Sequence, residues 1–400
     1  MHVQAKRASR IPAGIWALGF VSMLADISSE LIHSLLPVFM VSVLGASAFA
    51  IGVLEGTAEA TALIVKVFSG TLSDYIRKRK PLIVMGYGIG ALTKPLFAIA
   101  TSVQMVFVAR VLDRIGKGIR GAPRDALVAD IAPPNLRGAA FGLRQSLDTV
   151  GAFVGPLLAT GLMLLWANNF RAVFWVAVVP GLLSVVVLLA GVREPERVST
   201  ERTRKAITWA RLKELSDAYW WVVIIGAIFT LARFSEAFLL LRAQQGGLPL
   251  AWVPLVLVAM NLVYALAAYP FGKLSDRMSH RTLLAIGLVV LIGADFILAF
   301  SDSWRAVFIG VALWGLHMGI TQGLLATMVA DTAPTDMRGT AFGFFNLMGG
   351  LTMLVASALA GLLWDRLGAP FTFGVGALFC ALGLIAIALN ARVASVGRHQ

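Results

Sequence analysis

Between Arg110 and Asp130 the sequence reads RVLDRIGKGIRGAPRDALVAD, eight charged side chains in 21 residues. At 100° per residue Arg110, Asp113, Arg114, Lys117, Arg120, Arg124 and Asp125 fall on one arc of about 140°, so a helix built from this stretch has a single charged face. Guanidinium and ammonium groups in such a row can pair with carboxylates or hold an anionic group. Carboxylates recur at helical spacing elsewhere: Asp26, Glu30 and His33 at i, i+4 and i+7; Glu55, Glu59 and Lys66; Arg144 and Asp148 at i, i+4; Arg233 and Glu236 at i, i+3. Each set shares one helix face. The chemistry open to them is ion pairing, proton exchange and binding of a charged solute.

These groups lie in a chain that is otherwise apolar. Of 400 residues 58% are hydrophobic and only 14% charged, with a mean hydropathy of +0.82, where a soluble domain carries roughly 25% charged residues. The apolar residues come in runs of about 20 or more, the length of a helix crossing a hydrocarbon core. The pattern predicts an all-α integral membrane protein of twelve spans, at 13–43, 48–73, 81–100, 104–130, 138–166, 170–192, 218–242, 250–271, 282–300, 304–330, 339–363 and 370–391. The longest polar interruption, Arg193 to Asp217, reads as a cytoplasmic linker (193–217) between a six-helix bundle at 1–192 and another at 218–400. Asp26 and Glu30 inside the first span mark it as a retained helix, not a cleaved signal peptide.

A net charge of +13 would suggest nucleic acid in a soluble protein. Here the positions of the basic residues carry the information, and no nucleic-acid partner is expected. Of 34 lysines and arginines, 21 fall in alternate breaks beginning with the N-terminus, three (Arg171, Arg305, Arg366) in the other breaks and ten within predicted spans. The positive-inside rule then predicts both termini in the cytoplasm. Cys380, the single cysteine, excludes a disulfide framework and reads as a small buried hydrophobe.

The two halves repeat. Gly70-Thr-Leu-Ser-Asp74 recurs as Gly272-Lys-Leu-Ser-Asp276, 202 residues on. Ala129-Asp130-Ile-Ala-Pro133 with Arg137-Gly-Ala-Ala-Phe-Gly142 recurs as Ala330-Asp331-Thr-Ala-Pro334 with Arg338-Gly-Thr-Ala-Phe-Gly343, 201 residues on. A parallel duplication of six-helix units implies two bundles with a solute site near mid-membrane.

Gly70-Thr-Leu-Ser-Asp74-Tyr-Ile-Arg77-Lys-Arg-Lys80, with its copy from Gly272 to Arg281, is similar to the loop 2–3 signature of the major facilitator superfamily. The resemblance covers essentially the whole chain, and the run GKGIRGAPRDAL resembles a bacterial and archaeal permease subgroup. It implies that spans 1, 4, 7 and 10 line a central cavity and that the halves rock to give alternating access. It further implies a cytoplasmic gate of Gly70, Asp74, Arg77, Arg120, Arg124, Gly272, Asp276 and Arg277. Gly142, Gly151 and Gly155-Pro156 resemble the family's fifth-helix antiporter signature, without its trailing Gly-Gly; the other reading is a small-residue packing seam.

Ionisable residues facing hydrocarbon cost several kcal/mol each, so those in mid-span should face the cavity in pairs. The first half places eight acids among eight bases within its spans, which suggests a balanced network and leaves the charge of the solute open. Proton coupling needs a carboxylate poised by burial against neighbouring cations. Asp26 and Glu30 are the first candidates for it, followed by Glu55 and Glu59; permanent salt bridges are the alternative. Arg110, Asp113, Arg114, Lys117, Arg144, Asp148, Arg233 and Glu236 are candidates for solute contact, with mutual pairing equally open. Asp26, Glu30 and His33 could together bind a divalent cation, but one histidine is a thin ligand set and no metal site is assigned.

The expected activity is secondary transport, with export of a small polar or ionic solute or drug in exchange for protons. Nickel, cobalt or iron efflux and uptake of an anionic metabolite are the alternatives. No cofactor beyond the proton gradient is expected, and the protein is read as a monomer in the lipid of the inner (plasma) membrane. An enzyme is disfavoured, because no Walker A run, Gly-x-Ser-x-Gly or His-Glu-x-x-His occurs.

Overall fold

The computed structural model describes residues 10–76, 78–195, 214–275, 277–334 and 337–396. They form fourteen α-helices: α1 (Ala13–His33), α2 (Leu36–Ser42), α3 (Ala48–Ile76), α4 (Lys80–Ala98), α5 (Val103–Ile131), α6 (Arg137–Leu165), α7 (Phe170–Gly191), α8 (Asp217–Ala232), α9 (Ala237–Gln245), α10 (Leu255–Ser275), α11 (His280–Phe300), α12 (Trp304–Thr332), α13 (Arg338–Leu367) and α14 (Ala369–Val396). Among the described residues eleven helical stretches are long and apolar enough to cross a membrane. They match eleven of the twelve expected spans; the fourth is α5, 29 residues long, whose charged face lowers its hydropathy. Most of the expected linker, 196–213, lies outside the described residues.

A helix in hydrocarbon satisfies its own backbone polar groups, which is why apolar runs of this length take no other form. Side-chain caps then set where several helices begin. Ser102 Oγ accepts from the Met105 N–H at 3.3 Å, and Ser303 Oγ from the Ala306 N–H at 3.5 Å. The two caps stand 201 residues apart, the offset of the sequence repeat, so the duplication extends to the start of its fourth helix.

Two spans are interrupted, a feature that hydropathy does not register. The first breaks after His33, where Ser34 returns both its N–H (3.1 Å) and its hydroxyl (2.7 Å) to the Glu30 carbonyl. The seventh breaks between α8 and α9: Ser235 N–H turns to Ser357 Oγ at 3.2 Å, and Ser235 Oγ accepts from the Ala237 N–H. Phe234 anchors this break by packing on Phe238, Trp314 and Phe373. Serine and backbone thus supply the hydrogen bonds that the missing helical turns would have made.

The chain divides into two compact units, Met1–Leu36 with Thr61–Thr203 and Pro37–Ala60 with Arg204–Gln400. In the first, α1 packs on α6 and α7, and α4 packs on α5 and α7. Its core includes Ile15, Leu18, Ile83, Leu127 and Leu188. In the second, α8 packs on α13 and α14, and α11 packs on α12 and α14, the same four pairings one repeat later. The Tyr219 hydroxyl donates to the Ala341 carbonyl at 2.9 Å within its core. The stretch Pro37–Ala60 belongs to this second unit, where Asp365 accepts from the Ala48 and Phe49 N–H groups at 2.9 and 2.8 Å. Glycine lets the backbones meet there: a Cβ on Gly52 would stand 2.0 Å from the Ser357 carbonyl oxygen.

Candidate functional site

The charged face of α5 lies inside the first unit. Arg110, Asp113, Arg114 and Arg120 are buried, and Lys117 is exposed. Asp113 is the hub of the buried group. Its Oδ1 accepts from Lys94 Nζ of α4 at 2.8 Å, and its Oδ2 stands 4.0 Å from Arg114 Nε. Lys94 also donates to Ser29 Oγ of α1 at 3.1 Å. The Arg120 guanidinium lies 4.2 Å over the Tyr87 ring, a cation–π contact strengthened by exclusion of water. A polar cavity of about 10 Å³, lined by Ser28, Ser29, Tyr87, Lys94, Arg120 and Ser184 among others, leaves room for about one water beside this group.

One turn on, Arg124 pairs with Asp125 at 3.3 Å and donates to Ser22 Oγ of α1 at 3.0 Å. Arg144 of α6 donates to Asp148 at 2.6 Å, the i, i+4 pair expected from spacing. Its Nε stands 4.0 Å from Asp125, so α5 and α6 share this carboxylate.

Asp26 and Glu30 occupy the neighbouring face of α1. No base adjoins Asp26 in sequence, yet Lys117, Arg120 and Arg124 of α5 act on its charge, as does Asp148 of α6. Lys117 and Arg114 likewise face Glu30, whose Oε2 stands 3.5 Å from His33 Nδ1. The glycines of the fifth span set this geometry. A Cβ on Gly151 would stand 2.9 Å from the Asp26 Cβ and 2.6 Å from the Met23 carbonyl oxygen, and one on Gly155 2.6 Å from the Glu30 Cβ. The α6 backbone therefore rests directly against the two residues that carry the carboxylates. Pro156 is buried beside Gly155, whereas a Cβ on Gly142 meets nothing within 4 Å.

The second unit holds a separate charged group at the α8–α9 break. Glu236, Tyr264 and Glu59 all act on the charge of Arg233. Glu55, one turn before Glu59, is buried. The break brings Arg233 and Glu236 together in irregular backbone, not on one helix face as their spacing suggested.

Of the expected gate residues, Gly70 packs near Ala122, where a Cβ on Gly70 would stand 3.2 Å from the Ala122 Cβ, while a Cβ on Gly272 meets nothing within 4 Å. Arg277 is exposed. The Asp74 side chain, Arg77 and Asp276 lie outside the described residues. Beside this region, Arg79 pairs with Asp130 at 3.0 Å, and Glu194 accepts from the Arg79 and Lys80 N–H groups at 2.5 and 3.1 Å, joining the ends of α4, α5 and α7. Among the described residues no three His, Cys, Asp or Glu side chains converge as metal ligands, so Asp26, Glu30 and His33 lack that arrangement.

Sequence reasoning missed the Lys94–Asp113 pair and the tyrosine beneath Arg120. A lysine in mid-span before Pro95 was the available signal. Its partner could not be named, because α4 and α5 run past each other and spacing says nothing of their register.

The Major Facilitator Superfamily model matches residues 18–259 and 243–398. An uncharacterized MFS-type transporter of Methanocaldococcus jannaschii is 33% identical over 374 residues, 92% of each chain. The multidrug resistance protein MdtH of Aeromonas hydrophila is 26% identical over 366 residues, 87% of each chain. A crystal structure of a bacterial homolog of the human lysosomal transporter Spinster superposes with a TM-score of 0.79 at 16% identity, covering 94% of this chain and 96% of that one.

Proposed function

The chain belongs to the major facilitator superfamily and is a multi-pass membrane transporter, and from that premise we propose that it is a proton-coupled exporter of a small polar or ionic solute or drug. It works by alternating access in the inner membrane, with twelve spans and both termini in the cytoplasm. The observation that carries the reading is the seating of Asp26 and Glu30 on Gly151 and Gly155, with Lys117, Arg120 and Arg124 acting on Asp26 and Lys117 and Arg114 on Glu30. A carboxylate held among cations exchanges partners cheaply: an arriving proton cancels its charge and frees the facing cation, and an arriving solute reverses the step. Lys117 is the exposed member of that set and meets the solute; Arg110, Arg114 and Asp113 stay buried and hold the frame. Export is supported by the resemblance of Gly151 and Gly155-Pro156 to the antiporter signature and by the name of the MdtH relative.

The test uses everted membrane vesicles energised to an acidic lumen, with a pH-sensitive dye reporting proton loss as polar, cationic and drug-like solutes are added. The wild type collapses the gradient with at least one solute class, and Asp26→Asn and Glu30→Gln, expressed at the same level, do not. Equal collapse in both variants and the wild type removes these carboxylates from the coupling.

A further inference from the structure

Asp295 stands apart from every carboxylate considered so far. It lies on α11 in the second unit, 0% exposed, and no described residue hydrogen-bonds to either of its oxygens. A carboxylate-sized ion moved into a low-dielectric interior without a partner costs several kcal/mol or more, so such a group is neutralised by a bound cation.

The surroundings of Asp295 are built for that. Gly376 of α14 lets the backbone close on it: a Cβ on Gly376 would stand 2.9 Å from Asp295 Oδ2, 3.3 Å from the Ala232 carbonyl oxygen and 3.3 Å from the Phe234 ring. Ala232 is the last residue of α8. Its carbonyl belongs to the group of helix-end acceptors without an intrahelical donor, at the negative end of the helix dipole. A carboxylate oxygen and a helix-end carbonyl therefore both lie close against Gly376, and both are negative.

The arginines and the histidine on the packed elements are engaged elsewhere. Arg233, next to Ala232, interacts with Glu236, Tyr264 and Glu59. Arg242 of α9 donates to the carbonyls of Leu298, Ala299 and Ser301 at 2.6, 3.3 and 2.6 Å. His317 of α12 places Nδ1 2.8 Å from the Gly287 carbonyl oxygen. The Cys380 thiol of α14 is buried and feels the Asp295 charge.

We propose that Asp295 and the carbonyl end of α8 form a monovalent-cation site in the second unit, filled by a proton or a sodium ion. As a proton site, the protonated carboxyl donates to a helix-end carbonyl. As a sodium site, the carboxylate and carbonyl oxygens replace part of the hydration shell. Either cation ties α11 to the break in the seventh span, so its release frees the α8–α9 junction beside Arg233 and Glu236. The site is separate from Asp26 and Glu30, and its detection needs no transported solute, so it fails or stands independently of the exporter reading.

The experiment treats the purified full chain in liposomes with dicyclohexylcarbodiimide, which modifies protonated carboxyl groups in apolar surroundings, and reads modification of the Asp295 peptide by mass spectrometry. Infrared difference spectra between acid and alkaline buffer, and between sodium and choline buffer, follow the same carboxyl without reagent access. For a proton site, modification falls about tenfold per pH unit above its midpoint, sodium has no effect, and the carboxylic C=O band is lost in Asp295→Asn. For a sodium site, sodium at fixed pH suppresses modification and the band, choline does not, and Gly376→Ala weakens that protection by placing a methyl carbon 2.9 Å from Asp295 Oδ2. An Asp295 carboxyl that shows neither modification nor a band responding to pH or sodium overturns the proposal, as does a response that persists unchanged in Asp295→Asn.

Discussion

Removing the Asp113 charge should destabilise the first unit far more than a surface change of the same kind. At 2.8 Å and an effective dielectric of about 20, the Lys94–Asp113 attraction is about 6 kcal/mol. Both side chains are almost wholly buried, at 4% and 7% exposure, and desolvating each ion costs several kcal/mol. The pair as a whole is therefore worth little, but one ion left without the other costs about 3–5 kcal/mol. Asp113→Asn leaves the Lys94 ammonium with only Ser29 Oγ among these contacts and removes the carboxylate facing Arg114. Lys94→Met leaves Asp113 to the arginines and should cost less than Asp113→Asn. The double variant should be more stable than the sum of the single losses by about 1–3 kcal/mol. Unfolding of purified protein in mixed micelles of rising dodecyl sulfate content, followed by tryptophan fluorescence and far-ultraviolet circular dichroism, measures all four. An Asp113→Asn loss below about 1 kcal/mol, or strictly additive single losses, refutes the burial argument.

Two further outcomes follow from packing and capping. Gly155→Ala places a methyl group 2.6 Å from the Glu30 Cβ and should cost about 1–3 kcal/mol by overpacking, with loss of solute-driven proton release. Gly142→Ala, into open space, should be neutral or stabilising by up to about 1 kcal/mol; equal melting shifts for the two would show that the seam is not tight. Asp365→Ala removes the acceptor for the Ala48 and Phe49 N–H groups and should cost about 0.5–2 kcal/mol, read as a lower melting temperature. Asp365→Asn should recover part of it, and a melt unchanged in both variants would show that the cap carries no stability.

The spans, the duplication and the charged face of α5 were legible in the sequence because each is local. A run of apolar residues long enough to cross a bilayer commits to a helix whatever packs on it, and a 3.6-residue period places Arg110, Asp113 and Arg114 on one face before any fold exists. The Arg144–Asp148 pair was readable for the same reason, being one turn apart on a single helix. Gly151 and Gly155 were legible as small residues on one face, but not as the seats of Asp26 and Glu30.

What only the tertiary structure decided is which charges meet and which do not. Lys94 reaches Asp113 across two helices, Lys117 of α5 acts on the charge of Asp26 of α1, and Asp295 has no hydrogen-bond partner among the described residues, because partner choice depends on the register between helices distant in the chain. The interruptions after His33 and at Arg233 belong to the same class. Ser34 serves the first from within the break itself, but Ser357 of α13 serves the second from 122 residues away. Burial acts likewise: the desolvation that makes a carboxylate costly, and hence useful, is set by every neighbour at once and by no residue's own type.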